Sequence, residues 1–388
     1  MSWQDINLGD AFHVKHGFAF KSQFFSDDGD YIVLTPGNFD EAGGFRLRPG
    51  KERFYKGDIP EDYVLTEGDL IVAMTEQGPG LLGSSAWIPE GGRFLHNQRL
   101  GLIEDLDQSL LNKRFLYFLF NTETVRGQIY GSATGTKVRH TAPERIYRVK
   151  VKVPSDVTVQ HRIASILSAY DDLIENNRRR IKLLEQAARL LYKEWFVHLR
   201  FPGHEHVKIV DGLPEGWEKK TLGDVVEVTK GKNITLDTAI EGAVPVVAGG
   251  LKPAYYHNTT NALGPVITVS ASGANAGYIN LYHEDIWASD CSYISQTSTE
   301  CLYYYYLLLT SKQKEVYAFQ KGAAQPHVYP NDLKRLPCVL PPMALVKLFE
   351  ESVASNFRLV GVLLKQNKAL VHARDLLLPR LMNGEVSV

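Results

Sequence analysis

The sequence predicts an α+β protein in which one domain occurs twice, each copy followed by a long helix, with the two helices pairing as an antiparallel coiled coil. Three observations predict this architecture. A set of residues recurs at one fixed offset, and a long heptad pattern follows each copy. The 388-residue chain is also 44% hydrophobic, enough for a substantial core in two or three domains of ordinary size.

The composition is that of an ordinary globular protein, with 22% charged residues and a net charge of −1. Any nucleic-acid surface must therefore be local, because the chain as a whole is not basic. The three cysteines lack metal-ligand spacing and do not form a disulfide framework, so we expect a reducing, cytoplasmic location. We expect neither a signal peptide nor a membrane span from the apolar runs.

The internal repeat is clearest where each copy begins. Five residues recur 214 positions later, and two of the ten are tryptophans, which makes coincidence a poor explanation. Trp3, Leu8, Gly9, Asp10 and Gly17 of the first copy recur as Trp217, Leu222, Gly223, Asp224 and Gly231 of the second.

Weaker matches extend the repeat along both copies. Strand candidates at 31–34 and 68–72 correspond to 244–247 and 264–268, and helix candidates follow at 114–120 and 302–309. Each copy ends in a short apolar strand before a proline, at 149–154 and 336–342. The first copy is longer because of a Gly- and Pro-rich stretch, 36–60, which we interpret as a surface loop.

These matches predict the domain boundaries. We expect the two repeated domains at 1–155 and 201–340, a central helix at 156–200 and a C-terminal helix at 341–388.

The central helix has a heptad seam with no internal Gly or Pro. Thr158 is a candidate N-cap, and Pro202-Gly203 would end the run. A helix of roughly 40 residues would be about 60 Å long. The seam residues, in alternating steps of four and three, are Ile163, Leu167, Tyr170, Ile174, Asn177, Ile181 and Leu184, continuing to Trp195.

The C-terminal pattern is less regular, is weakened by Gly361 and ends near Pro379 and Gly384. A packed core helix is the alternative interpretation of either pattern alone, but a helix after both copies favours pairing of the two. Asn177 would then either meet a polar partner across the seam or be solvated. The predicted seam residues here include Val353, Val360, Leu363, Asn367 and Leu370.

The sequence contains no catalytic or metal-binding signature. Dinucleotide-binding, P-loop, H-E-x-x-H and paired C-x-x-C strings are all absent. The string His204-Glu205-His206 lies beside Pro202-Gly203 at a domain boundary, which favours a linker over a metal site. Catalytic residues can assemble from distant positions, so the absence favours binding without excluding an enzyme. We predict no catalytic residue, no metal ligand and no cofactor bound by this chain.

The best candidate for nucleic-acid contact is a basic segment, 135–152, that holds six cations against one acid, Glu144. It begins with a loop of small residues whose backbone could approach phosphates, while Lys and Arg neutralise them and Arg can bond guanine. Arg148, Lys150 and Lys152 alternate with apolar residues, as on one face of a strand. A solvated loop and a wet strand face is the alternative interpretation. The loop candidates are Thr134, Lys137, Arg139 and His140.

The corresponding place in the second copy, 321–329, again combines Gly, Ala, a cation, a Gln and a His before the closing strand. Two equivalent loops of similar composition strengthen the functional interpretation. Other polar loops, at 77–85, 96–99, 270–275 and 289–292, are further candidates, although each alone is ordinary turn chemistry. The candidates outside the first loop are Gln77, Arg99, Ser272, Asn275, Lys321, Gln325, His327 and Tyr329.

The chain resembles the specificity subunit of type I restriction–modification enzymes over essentially its whole length. The resemblance rests on the Trp-x4-Leu-Gly-Asp opening of both copies, the Leu-Pro-Glu-Gly-Trp string entering the second copy at 213–217, and the helix start Gln-His-Arg-Ile-Ala-Ser-Ile-Leu at 160–167. The closing string Arg-Asp-Leu-Leu-Leu-Pro-Arg-Leu at 374–381 is also similar. The combination is specific, although no single string is.

This resemblance implies two target-recognition domains, each reading one half of a split, asymmetric site on double-stranded DNA. It implies that the helices set the spacing of the half-sites and dock two modification methyltransferase subunits, which would bind S-adenosylmethionine, with restriction or motor subunits joining for cleavage. The alternatives are a scaffold that binds protein rather than DNA, which the near-neutral charge allows, and an enzyme acting alone on DNA. Salt-dependent DNA binding distinguishes a DNA-reading subunit from a scaffold that binds protein.

Overall fold

The computed structural model describes residues 2–48, 50–78, 80–322 and 325–388, and it confirms a mixed fold of helices and strands. Pro49, Pro79, Ala323 and Ala324, which fall in loops singled out above, lie outside the described residues. The chain forms two compact units, here called unit 1 (Met1–Ile174 with Ala369–Val388) and unit 2 (Glu175–Lys368). Among the described residues, no helix is both long and apolar enough to span a bilayer.

The first part of the chain contains short strands and short helices and ends with a long helix. Its strands are β1 (Trp3–Asn7), β2 (His13–His16), β3 (Phe25–Ser26), β4 (Tyr31–Val33), β5 (Phe54–Tyr55), β6 (Leu70–Ala73), β7 (Thr75–Glu76), β8 (Ser85–Trp87), β9 (Phe94–Leu95), β10 (Leu100–Glu104), β11 (Arg139–His140) and β12 (Lys150–Pro154). Its helices are α1 (Lys113–Phe120), α2 (Glu123–Ser132), α3 (Pro143–Tyr147) and α4 (Val157–Tyr192), and α4 continues as a π-helical turn, Lys193–Val197.

The second part repeats this order after a short hairpin. Its strands are β13 (Ile209–Val210), β14 (Leu213–Pro214), β15 (Glu218–Thr221), β16 (Thr229–Lys230), β17 (Val244–Val247), β18 (Tyr255–His257), β19 (Val266–Ser270), β20 (Ile279–Tyr282), β21 (Trp287–Ala288), β22 (Cys291–Ser295) and β23 (Pro337–Leu340). Its helices are α5 (Leu222–Val225), α6 (Leu302–Ser311), α7 (Gln313–Ala318), α8 (Pro330–Lys334) and α9 (Met343–Met382).

The sheets of unit 1 and unit 2 have matching strand orders. In unit 1, β1 pairs with β12, one sheet has the order β2-β10-β6-β8, and another has the order β3-β5-β4-β9. In unit 2 the corresponding pairings are β15-β23, β16-β22-β19-β20 and β18-β17-β21. Each unit contains a parallel strand pair at the same place, β4 with β9 and β17 with β21. The repeat seen in the sequence is therefore a repeat of topology.

The helix α1 of unit 1 and the helix α6 of unit 2 form the centre of each core. Every residue from Phe115 to Phe120 is buried, and so is every residue from Leu302 to Leu309. Helices this short and this apolar are stable because they are surrounded by other elements, here the buried strands β6 and β19.

The Leu-Gly-Asp string recurs because it closes a tight turn after β1 in unit 1 and after β15 in unit 2. The Asp10 carboxylate accepts the backbone N–H of Asn7 over 3.0 Å, and the Asp224 carboxylate accepts that of Thr221 over 2.8 Å. This reciprocal cap satisfies donors that the turn would otherwise leave unpaired. The glycine between them lets α3 approach in unit 1 and α8 in unit 2, since a Cβ on Gly9 would lie 2.5 Å from Tyr147 Cβ.

The glycine that follows at Gly17 and Gly231 also has a steric cause. A Cβ on Gly17 would lie 2.1 Å from the Asn97 carbonyl oxygen, and one on Gly231 would lie 2.2 Å from that of Ser289. Both contacts are to backbone atoms, which cannot rotate away. At these two positions, only glycine allows the chain to lie directly against the backbone of Asn97 in unit 1 and of Ser289 in unit 2.

The two long helices differ at their ends from the sequence expectation. The prediction of Thr158 as N-cap was wrong: α4 begins at Val157, and the Asp156 carboxylate accepts the Thr158 N–H over 2.8 Å. A carboxylate accepts this bond better than a hydroxyl does, so Asp156 takes the capping position. Helix α9 continues through Pro379 to Met382. It is also continuous at Gly361, where a Cβ would lie 3.2 Å from His283 Cβ.

The Gly- and Pro-rich stretch at 36–60 is not wholly a surface loop. Its strand β5 pairs with β3 and β4, and the side chains of Phe39 and Tyr55 are buried. The glycines and prolines of the stretch suggested a surface loop. The aromatic residues between them supply the apolar area that anchors the stretch to the core.

Within unit 1, the start of α4 lies against the end of α9. Ile163, Leu167 and Ile174 are buried, and Leu381 and Met382 belong to the same apolar cluster as Ile163 and Leu167. Tyr170 and Leu370 are half-buried. The Arg374 guanidinium donates to the Asp171 carboxylate over 2.6 Å, with only 15% of the arginine side chain exposed.

Within unit 2, the end of α4 lies against the start of α9. The rings of Tyr192 and Trp195 pack on Phe349 at centroid distances of 5.9 and 5.5 Å. Of the predicted seam residues, Val353, Val360, Leu363 and Asn177 are buried, whereas Ile181, Leu184 and Asn367 are half-buried. The Asn177 side chain is 6% exposed and its amide donates to the Asn367 side-chain oxygen over 3.0 Å. Asn177 therefore meets a polar partner and is not solvated.

We predict that Gly17→Ala lowers the free energy of unfolding of the chain by roughly 2–4 kcal/mol, because the added methyl group meets backbone that must shift. Gly127→Ala is the matched control in the same unit. Gly127 lies within α2 with open space around its Cα, so alanine should be neutral or stabilising by up to about 1 kcal/mol. Thermal or urea unfolding checks both variants, and equal stability of the two would contradict the steric explanation.

Candidate nucleic-acid interface

In unit 1, four of the residues predicted from the sequence lie on one loop, here called loop 1 (residues 134–140). The loop is closed by two backbone hydrogen bonds, from Thr134 N–H to His140 O over 3.0 Å and from His140 N–H to Thr134 O over 2.8 Å. Gly135 makes the turn at φ +97°, and a Cβ there would lie 2.0 Å from Val138 O. The side chains of Thr134, Lys137 and His140 are exposed.

Arg139 is held in place by an aromatic ring that the sequence analysis missed. Its guanidinium lies 4.0 Å from the centroid of the Tyr130 ring, and Nη1 donates to Tyr130 O over 3.5 Å. Tyr130 itself is 41% exposed. A guanidinium stacked in this way keeps its remaining N–H groups free for a phosphate or a base edge, and it loses less entropy on binding than a free arginine does.

Backbone hydrogen bonds bring Gln77 and Arg99 to the same place. Arg139 and His140 pair with Glu76 and Thr75, so Gln77 follows directly after this pairing. The preceding residue, Met74, donates its N–H to Arg99 O and accepts the N–H of Thr141 on its own carbonyl, each over 2.9 Å. Gln77 and Arg99 are both exposed, so the structure assembles loop 1, Gln77 and Arg99 around one strand end.

The loop that follows Gln77 is ordered by a buried carboxylate, Glu76, which is 3% exposed. It accepts the backbone N–H groups of Gly80, Leu81 and Leu82 over 3.1, 3.0 and 2.9 Å. Arg126 donates to the carbonyl oxygens of Glu41 and Gly80, and its burial lowers the pKa of its guanidinium. The sequence analysis missed both residues, although an acid next to a buried apolar strand was an available signal.

His96, at the start of the turn that carries Arg99, is a structural residue. It is fully buried, and its Nε2–H donates to Leu100 O over 3.0 Å. Burial lowers the pKa of His96 to about 4, so the ring is neutral near pH 7. The ring supports the turn from inside, while the exposed surface of the turn is formed by its later residues.

Unit 2 has an equivalent loop, here called loop 2, which begins at Lys321 and ends at His327. Lys321 N–H donates to His327 O over 2.9 Å and His327 N–H to Lys321 O over 2.8 Å, the same closure as in loop 1. Gly322 has φ +95°, matching Gly135. Ala271 plays the part of Met74, since its carbonyl accepts the Val328 N–H over 2.9 Å and its N–H donates to Asp290 O over 3.1 Å.

The side chains on this shared framework differ from those of unit 1. The ring of His327 stacks on that of Tyr329, with centroids 5.9 Å apart and planes 12° apart, and Tyr329 is 51% exposed. Gln325 is exposed, whereas Asn275 is half-buried. Ser272 bridges to His327 through its backbone and donates its hydroxyl to Asp290. Lys321 forms an ion pair with Asp332 over 2.6 Å.

The other cations of the basic segment lie on two elements. Arg145 belongs to α3 and Arg148 directly follows that helix, so the expectation that Arg148 lies on the strand with Lys150 and Lys152 was wrong. Lys150 and Lys152 are exposed on β12 and alternate with buried Val151 and Val153. Lys152 lines a cavity of about 510 Å³ together with Trp3 and Asp375. The structure thus separates these lysines from loop 1, which carries Lys137 and Arg139. Within the described residues, no three His, Cys, Asp or Glu side chains converge in a way that could hold a metal ion.

Comparison with known proteins connects this framework to one family. The sequence model of the type I restriction modification DNA specificity domain matches residues 1–186 and 214–345. The chain is 27% identical over 300 residues to the type I restriction enzyme MjaIX specificity subunit of Methanocaldococcus jannaschii, covering 71% of this chain and 69% of that protein. It is 23% identical over 402 residues to the HindI specificity subunit of Haemophilus influenzae, covering 77% and 84%.

A solved structure has the same fold. The crystal structure of the type I restriction–modification S subunit from Mycoplasma genitalium superposes with a TM-score of 0.64 at 17% identity, covering 98% of this chain and 96% of that one. The match spans both copies of the repeat and both long helices.

We predict that protonation of His96 contributes to acid unfolding. The unfolded chain binds a proton at this histidine near pH 6.5 and the folded chain only near pH 4, so the contribution of the neutral ring is present above pH 6.5 and is lost as the pH falls. The difference corresponds to roughly 3 kcal/mol.

Urea unfolding between pH 7.5 and pH 4.5 checks this contribution. His96→Gln should show a weaker pH dependence than the unaltered chain, and His161→Gln, which replaces an exposed histidine of unit 1, should not. An unchanged pH dependence in His96→Gln would exclude the assignment.

Proposed function

Because the chain belongs to the family of type I restriction–modification DNA specificity domains, we propose that it is a non-catalytic subunit that reads a split, asymmetric DNA sequence, with one half-site for each unit. One observation carries the proposal. Loop 1 and loop 2 share their backbone closure, their turn glycine and their attachment to a strand end, yet they present different side chains. Equivalent frameworks with different side chains are what two different half-sites require.

The chemistry of unit 1 suits contact with phosphates and base edges. Lys137 is an exposed cation on a loop of small residues, and Arg139 is oriented by Tyr130. Arginine bonds guanine O6 and N7 in a fork, while Gln77 has the amide geometry that pairs with adenine. In unit 2, Gln325 has the same amide chemistry, and the stacked pair His327–Tyr329 offers ring faces and hydrogen-bonding groups.

The two long helices support a second part of the proposal, that they pair as an antiparallel coiled coil that sets the half-site spacing. In unit 1 the start of α4 contacts the end of α9, and in unit 2 the end of α4 contacts the start of α9, as antiparallel pairing requires. The hydrogen bond between Asn177 and Asn367 favours one register of α4 against α9, because a shift of either helix would separate the two amides.

Exposed apolar side chains on these helices support docking of partner subunits. Leu183 and Leu190 of α4 are seven residues apart and are 64 and 54% exposed, and Val197, at the end of the π-helical turn that follows, is 56% exposed. Leu348 and Val362 of α9 are also exposed, at 45 and 52%. Leucines seven residues apart lie on one face of a helix, and an exposed apolar face of this kind suits packing against a partner helix.

We propose two modification methyltransferase subunits as the partners of this surface, with restriction or motor subunits joining for cleavage. S-adenosylmethionine would be bound by the methyltransferase subunits and not by this chain. The three cysteines, all buried free thiols, suit assembly in the reducing cytoplasm.

The DNA interface is tested by the double substitution Lys137→Ala with Arg139→Ala. If both cations contact phosphates, the slope of log affinity against log salt concentration should fall by about 2, with a loss of affinity that is largest at low salt. The measurement is DNA binding by the complete complex from 50 to 300 mM salt.

The matched control is Arg93→Ala with Lys113→Ala. These residues have the same charge but lie at the other end of β6, where Lys113 donates to Gly68 O. An unchanged salt slope in the loop 1 variant, or an equal change in the control, would remove loop 1 from the interface. Absence of any salt-dependent DNA binding would favour a protein scaffold.

The docking surface is tested by Leu183→Gln with Leu190→Gln. Each leucine is expected to bury its side chain against a partner, so the pair should weaken methyltransferase binding at least tenfold while the thermal unfolding of the isolated chain stays unchanged. Arg179→Gln with Lys182→Gln changes exposed polar residues of the same helix segment and should leave binding within about threefold. Equal affinities of the two variants would place the partner elsewhere.

A further inference from the structure

A side-chain contact closes the base of loop 1 in addition to the backbone bonds. The short helix α3 follows the loop, and its third residue, Arg145, is directed back to the loop. Arg145 Nη1 donates to Thr134 Oγ1 over 3.1 Å and to His140 O over 3.3 Å. One guanidinium thus holds the first and the last residue of the loop.

The corresponding contact in unit 2 has the opposite polarity. The positions match residue by residue: Gly135 and Gly322, His140 and His327, and the helix-starting prolines Pro143 and Pro330. In the same alignment, Thr134 corresponds to Lys321 and Arg145 corresponds to Asp332.

In loop 2 the cation therefore stands on the loop and the helix carries its partner. Lys321 Nζ donates to Asp332 Oδ1 over 2.6 Å. Asp332 is 6% exposed, so its carboxylate depends on this partner for compensation of its charge. Lys321 remains accessible, with 61% of its side chain exposed, but one of its donors is already engaged.

We infer that Thr134–Arg145 and Lys321–Asp332 are equivalent clamps that hold loops 1 and 2 in the conformation that contacts DNA. The inference rests on the proposed function and deepens it: these four are positioning residues, and Lys321 acts through Asp332 and not as a phosphate contact. A loop closed by one pair of backbone bonds keeps much freedom, and a side-chain bond from its base to the following helix removes part of that freedom before DNA binds.

Because the polarity is reversed between the two loops, the residues of one clamp cannot be exchanged singly for those of the other. The two members of a clamp must change together, because a cation at the loop position repels a cation at the helix position. At the base of loop 2, Asp332→Arg alone places a guanidinium against Lys321, whereas Lys321→Thr alone leaves the Asp332 carboxylate without its partner. The double change Lys321→Thr with Asp332→Arg recreates the pair found in unit 1.

The experiment compares these three variants in the complete chain by two measurements. Amide hydrogen exchange of His327 and Val328 reports loop closure without DNA, because their N–H groups donate to Lys321 O and Ala271 O. Affinity for a duplex carrying the full site, measured in the complex, reports DNA contact. Each single change should accelerate exchange and weaken DNA binding by about tenfold, and the double change should restore both to within about threefold.

The reverse exchange in unit 1, Thr134→Lys with Arg145→Asp, gives a second set of variants should Asp332→Arg fail to fold. The clamp is overturned if the single changes leave exchange and affinity unaltered, or if the double change recovers neither. Exchange that follows the predicted order while the unaltered complex binds no DNA would overturn the proposed function and leave the clamp standing.

Discussion

In each unit, the backbone of one residue ties together the loops that carry the candidate recognition side chains. The N–H of Met74 bonds the turn that holds Arg99, and its carbonyl bonds the chain leaving loop 1; Ala271 does the same in unit 2. These bonds use no side-chain atoms. The framework can therefore stay constant while the exposed residues change, as the proposed reading of two unlike half-sites requires.

The electrostatics of the two units follow from the same positions. The turn and helix positions occupied by Arg99 and Arg145 in unit 1 are occupied by Asp290 and Asp332 in unit 2. A local cationic surface is compatible with the net charge of −1 of the whole chain. The cations are concentrated on the loop framework of unit 1, whereas acidic residues balance them on that of unit 2. In the proposed function, unit 1 would contact DNA mainly through its cations, and unit 2 through hydrogen bonds and ring faces.

The sequence predicted those parts of the fold that depend on local pattern. The repeated Trp-x4-Leu-Gly-Asp opening, the apolar strands and the heptad seam have periodicities that can be read directly, and the structure contains strands and helices at these places. Asp156 was missed as a helix cap because Thr158 offered a plausible hydroxyl two residues later. The strand β5 was missed because glycine and proline dominate the stretch around Tyr55.

The site was less predictable, since its geometry joins residues far apart in the chain. The composition of loops 1 and 2 identified the two segments, but no local pattern showed that Arg139 rests on Tyr130 or that Lys321 is paired with Asp332. The alignment of Gly135, His140 and Pro143 with their counterparts in the second copy was a usable signal, because it relates position 145 to position 332. Which of the exposed residues contact bases stays a prediction.

We propose that this chain alone decides which split sequence a methyltransferase modifies. The most direct test is a base-resolution map of adenine methylation in a host that expresses the chain with its candidate methyltransferase partner, compared with a host that expresses the partner alone. We predict that a new two-part asymmetric motif is methylated only when the chain is present. An unchanged methylation map, in cells where the complex has formed, would contradict this role of the chain.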